Sequence, residues 1–217
     1  FVVLILPGWL LLEVTGLRRR FDLWETAALA AGISLALLPV LMLWTTLLNF
    51  PWRAVGVWAA AMVAAALLLA TLFSRRTEFK LSLPSTTSVV MGVILVLSCG
   101  LRLLMARDMV APAWVDSVHH ALLGRLVAEA GAYPASYLPY FELEPTRYHP
   151  GFHVSLAALV QLSGLDSARA LLIFGQVLNV LAVLSAYLFT TTLTRDKRAG
   201  VAAALAVGLF SPMPAYY

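Results

Sequence analysis

The sequence predicts an all-α, polytopic transmembrane helical bundle with an external loop containing short juxtamembrane helices. Three observations predict it. The chain is 61% hydrophobic and only 12% charged, about half the charge of a soluble domain. Its apolar residues fall into runs close to the ~20 residues a helix needs to cross hydrocarbon. The runs are separated by short turns rich in Arg, Lys, Pro or Asn.

In chain order the candidate spans are 1–17, 26–48, 54–73, 88–104, 168–193 and 200–210 with its flanks. Arg18-Arg19-Arg20 follows the first, and Asn49-Phe50-Pro51-Trp52 separates the second from the third. Ser74-Arg75-Arg76 through Lys80 follows the third, and Arg195-Asp196-Lys197-Arg198 separates the last two. The expected organisation is therefore four N-terminal transmembrane helices (1–106), an external loop (107–167) and two further transmembrane helices (168–217). The chain opens inside an apolar run at Phe1 and stops at Tyr217, so it reads as part of a longer protein truncated at both ends.

Nine of the fifteen Lys and Arg residues lie in the three basic loops. The positive-inside tendency puts those loops in the cytoplasm and 107–167 outside. That placement requires Gly151–Leu165, about 15 residues, not to cross the membrane. Its length and its His153, Ser155 and Gln161 favour an interfacial or re-entrant helix. The expected location is therefore integral to a membrane, with 107–167 on its outer side.

Composition also excludes function classes. The net charge of +4 comes from cations at the ends of apolar runs, which is membrane orientation and not a nucleic-acid footprint. Cys99, the single cysteine, offers neither a disulfide nor a thiol metal motif. There is no Gly-rich phosphate loop and no nucleophile elbow, so nucleotide hydrolysis and serine-type lipid cleavage are unsupported.

All four histidines and five of the eleven acidic residues lie between Asp108 and His153. Titratable groups gathered in a chain that otherwise avoids charge point to chemistry. A helical pattern begins at Pro112 to Asp116, carries Val118, Leu122, Leu126 and Val127 as an apolar stripe, and stops at Gly131. His119 and His120 follow Asp116 by three and four positions, so the three share one face. They could bind a divalent metal or pair an acid with a base. The plainer alternative is an amphipathic surface helix whose polar face happens to be Asp-Ser-His.

After Gly131 come Tyr133, Pro134, Tyr137, Pro139, Tyr140 and Phe141, most of which read as interface anchors. Glu142, Glu144, Arg147, Tyr148 and His149 follow. Pro150 and Gly151 then open an apolar helix carrying His153. A helix N-terminus beside Arg147 and two histidines suits a phosphate or pyrophosphate, against the plainer reading of a loop cap. Arg169 either joins that anion site or anchors its span. Glu13 is expected to snorkel or to pair with a nearby arginine, and Gln176 and Asn179 to make interhelical hydrogen bonds.

The order of these pieces resembles the glycosyltransferase-C superfamily, most closely the bacterial branch of protein mannosyltransferases and aminoarabinose transferases. Four pieces carry the resemblance, over about half of the chain. A helix ends at Arg107, and Trp114-Val115-Asp116 starts the loop that follows. Gly131-Ala132-Tyr133-Pro134 comes after a short helix. Tyr148-His149-Pro150-Gly151 then opens a juxtamembrane helix, followed by a span from Arg169 to Tyr187 with a basic end at Arg195–Arg198. Asp116-Ser117 stands where many members have Asp-Glu, and four apolar segments precede the loop instead of one.

The resemblance implies an integral-membrane enzyme that moves a sugar from a polyprenyl-phosphate-linked donor to an acceptor at the outer membrane face. Asp116 takes the catalytic role, as base or as holder of a divalent metal. Arg147, Tyr148, His149 and Arg169 bind donor phosphate, with His119 and His120 as metal candidates beside Asp116. His153, Glu142 and Glu144 are second-rank. No covalently bound cofactor and no nucleic-acid partner are expected; the partners are the donor lipid, the bilayer and an acceptor the sequence does not identify. The alternative is a transporter or flippase of a lipid-linked or anionic substrate, although transporters place ionisable groups midway along broken helices.

Overall fold

The computed structural model describes residues 2–74, 84–113, 116–142 and 150–211. Among them are eight α-helices and no strand. They are α1 (Val2–Val14), α2 (Leu23–Leu47), α3 (Ala54–Ser74), α4 (Thr86–Ala106), α5 (Asp116–Ala130), α6 (Gly151–Ser163), α7 (Ser167–Thr194) and α8 (Lys197–Leu205). The four helices α2, α3, α4 and α7 are long and apolar enough to cross a membrane, so the protein is a polytopic helical bundle. Their ends fall within three residues of the sequence-predicted spans. The other two expected spans are shorter among the described residues. α1 has 13 residues, and α8 has 9 before it runs into a π turn at Ala206–Phe210. At 13 residues, α6 falls short of the ~20 that spanning needs.

The chain forms two compact units. The first comprises 1–34, 63–108 and 175–217, and the second 35–62 and 109–174. The units divide within α2, α3 and α7. A long helix meets different partners along its length, which hydropathy does not register.

In the first unit, α1 meets α2 through small residues. Gly8 lies against the carbonyl of Ala30, where a Cβ would collide, and its N–H donates to the buried Ser34 Oγ at 2.9 Å. Close backbone approach of this kind is how helices associate in lipid. Glu13 is buried and faces Arg18 at 3.5 Å, the pairing its position suggested. The Arg18 guanidinium also lies over Trp9, 5.6 Å from the ring centre.

α2 starts with a reciprocal cap. Asp22 Oδ1 accepts from the backbone N–H groups of Trp24 and Glu25, both at 2.9 Å, while Glu25 accepts from Asp22 N–H at 2.8 Å. This arrangement satisfies donors that a helix start leaves orphaned. The second Asp22 oxygen takes the Tyr187 hydroxyl at 2.8 Å and Lys197 Nζ at 2.9 Å. Burial pushes the Asp22 carboxyl up, but the hydrogen bonds from Glu25, Lys197 and Tyr187 together outweigh it and hold the group below its ordinary value.

The second unit is tied by backbone bonds to its aromatic loop. Gly131 has φ +66 and sits against Trp52, whose N–H donates to the Gly131 carbonyl at 2.6 Å. Tyr133 donates its hydroxyl to Pro39 O at 2.9 Å and its N–H to Thr46 Oγ1 at 3.2 Å. Gln161 donates to Ala128 O at 2.9 Å and to Trp52 O at 3.3 Å. These bonds pin α5, α6 and the 49–53 turn together.

Candidate functional site

α5 and α6 build the site. α5 begins at Asp116 and stops where Gly131 turns left-handed; α6 begins after Pro150 and is capped by Gly164 at φ +68. The start at Asp116, the stop at Gly131 and the start after Pro150 are those the sequence signalled. The two helices pack through Gly124, which faces Leu156 with no room for a Cβ. That approach decides which side of α5 is buried. The buried seam includes Ala121, Gly124 and Val127, one turn after another. Val118, expected in the apolar stripe, is 76% exposed, because the neighbour comes closest over the glycine.

His120 lies one turn before Gly124 and therefore enters the seam. His153 sits one turn before Leu156 and Ala157 on α6, with 2% exposure. The two imidazoles meet, with His120 Nδ1 and His153 Nε2 at 3.0 Å and ring centres 5.2 Å apart. One ring donates the proton and the other accepts it, so at most one of the facing nitrogens is a free base at a time. Phe152 sets its edge against both rings and rests on Phe174. His119 is exposed and lies beside Tyr137, with ring centres 5.7 Å apart.

Electrostatics follow from this geometry. The His120 imidazole is held below its ordinary value, by burial first and then by His119, with Asp116 pulling the other way. It is thus a neutral imidazole near pH 7. Asp116 is exposed at the first turn of α5, where the helix dipole favours the carboxylate. Burial pushes the Tyr133 phenol up.

The structure thus brings Asp116, His119, His120 and His153 to one region and raises His153 from a secondary candidate to the partner of His120. Among the described residues no three His, Cys, Asp or Glu side chains form a group able to hold a metal ion. The Asp116–His119–His120 set does not fit a metal centre as it stands, and no step below runs through one. Arg169 is exposed at the start of α7, where Asp166 caps its backbone N–H at 3.0 Å. Glu142 is exposed. Glu144, Arg147, Tyr148 and His149 lie outside the described residues.

Sequence reasoning took most of the loop aromatics as anchors. Tyr140 and Phe141 are exposed in that way, but Tyr137 is 5% exposed and packs with Leu123 and Leu126. Gln161, noted only as a polar residue of its segment, bonds both Ala128 and Trp52, and Arg102, 5% exposed within α4, was missed. An ionisable group on an apolar helix was the signal available for Arg102.

The chain matches no curated protein and no solved structure. A model described as a family of unknown function, DUF6541, matches residues 1–217, so the chain belongs to that family.

Proposed function

We propose that the protein is an integral-membrane glycosyltransferase, which moves a sugar from a polyprenyl-phosphate-linked donor to an acceptor at the outer face of a bacterial plasma membrane. The observation that carries the reading is the convergence of Asp116, His119 and the His120–His153 pair, at 3.0 Å, on two short helices outside the four spans. Proton-handling groups held at the ends of spanning helices suit a reaction on a lipid head group. A transport path would instead place them midway along broken helices.

In this reading the acceptor hydroxyl attacks the anomeric carbon of the donor sugar. Asp116 accepts the hydroxyl proton. The bond from that carbon to the phosphate oxygen breaks, and polyprenyl phosphate leaves with the electron pair. Arg147, Tyr148, His149 and Arg169 are the candidates to balance the developing charge on that phosphate. The neutral His120, backed by His153, keeps a proton acceptor beside Asp116 without adding a second positive charge.

The test is transfer of labelled sugar from a polyprenyl-phosphate sugar panel by the purified protein in lipid nanodiscs. Asp116→Asn is expected to reduce turnover by about 10²-fold or more, with expression and insertion unchanged. Wild-type turnover in Asp116→Asn would remove Asp116 from the mechanism. Movement of the labelled lipid between leaflets of sealed vesicles without sugar transfer would replace the enzyme by a flippase.

A further inference from the structure

The first compact unit carries an open surface groove of about 540 Å³ that the sugar-transfer reading does not use. Its wall is built from two stretches far apart in sequence, Arg19–Glu25 and Thr191–Lys197. Four cations line it, Arg19, Arg20, Arg195 and Lys197, against two carboxylates, Asp22 and Glu25. Both carboxylates are already engaged. Asp22 caps α2 and grips Lys197 and Tyr187, and Glu25 completes the cap. Lys197 is thereby neutralised. Arg19, Arg20 and Arg195 are exposed, and none forms an ion pair among the described residues. With Asp22 matched by Lys197, the groove sets three guanidiniums against the one remaining carboxylate, Glu25, and so carries a net positive charge.

Orientation in a membrane accounts for cations at helix ends, but it needs neither a shared groove nor a particular backbone. Arg195 has φ +57, a left-handed conformation in which glycine is the unstrained residue at a helix end. Here a side chain is kept at that position, and its guanidinium lines the groove with Arg19 and Arg20. The size falls within the ~300–1,000 Å³ of small-molecule sites, and guanidinium forks match phosphate oxygens two at a time.

We infer that Arg19, Arg20 and Arg195 form a binding site for a phosphate-bearing anion, separate from the α5–α6 site. The anion is either a soluble pyrophosphate-like group or the head group of an anionic lipid. The Thr192 hydroxyl, also on the wall, supplies a further donor.

The experiment uses the purified full chain. Inorganic pyrophosphate is titrated calorimetrically in neutral detergent. In parallel, retention of phosphatidylglycerol over phosphatidylcholine is read by native mass spectrometry from mixed nanodiscs. Wild-type protein is expected to bind one probe saturably. The Arg19→Gln/Arg20→Gln/Arg195→Gln variant is expected to bind about tenfold more weakly or worse, since even one lost charge-assisted contact is worth that much. Arg195→Gly separates binding from folding: it relieves the left-handed backbone, so its melting temperature holds or rises while affinity falls. Pyrophosphate binding assigns a soluble ligand, and phosphatidylglycerol retention alone assigns a lipid head group. Binding of neither probe, or equal binding by wild type and triple variant, overturns the site.

Discussion

His120 sits where a proton is penalised. Burial is the larger cause and His119 the second, against a pull from Asp116. Its folded pKa lies below the ordinary 6.5, so as pH falls the unfolded chain takes up its proton first. Stability from this group is whole above 6.5 and declines as pH falls through the folded value; below that value it is gone. The melting temperature in detergent is expected to drop as pH falls below about 6.5, and His120→Phe is expected to flatten that slope. An unchanged slope in the variant assigns the titration to another group. The shared face of Asp116, His119 and His120 was legible in the sequence because helical spacing is local. The role of His153 was not, since its partner is 33 positions away and no periodicity links two helices.

At the scale of elements, Gly131 and Gly124 let neighbours approach closely, but for different reasons. Gly131 combines φ +66 with a backbone neighbour at Trp52. Gly131→Ala is expected to destabilise the protein by more than ~1 kcal/mol, because left-handed strain adds to a contact with rigid backbone. Gly124→Ala meets only the mobile end of Leu156 and is expected to be milder. Thermal melts of the two variants, compared at one pH, check the order. The end of α5 and the start of α6 were readable from Gly131 and Pro150, whose backbone preferences act within a turn. The inward side of α5 was legible only in part: Leu126 and Val127 of the expected stripe are buried and Val118 is exposed, because the approach of α6 over Gly124 is not encoded in local spacing.

At the scale of the whole molecule, composition and run length were enough for the four spanning helices. They were not enough for the compact units, which split α2, α3 and α7. The sidedness expected from the basic loops can be tested directly. In a Cys99→Ser background, Glu142→Cys is expected to react with an impermeant maleimide added outside intact cells. Thr192→Cys is expected to react only after permeabilisation. The reverse pattern would invert the molecule and take Asp116 away from the outer face.

The shortness of α6 also bears on how the protein is made. Thirteen residues with a histidine and a serine among the buried ones give an insertion channel little reason to release the segment sideways into lipid. Its place has to be supplied by helices already present, above all α5, which is synthesised first and offers the groove over Gly124. Closing that groove with a bulky residue would therefore show itself early, as nascent chains left vulnerable to proteases.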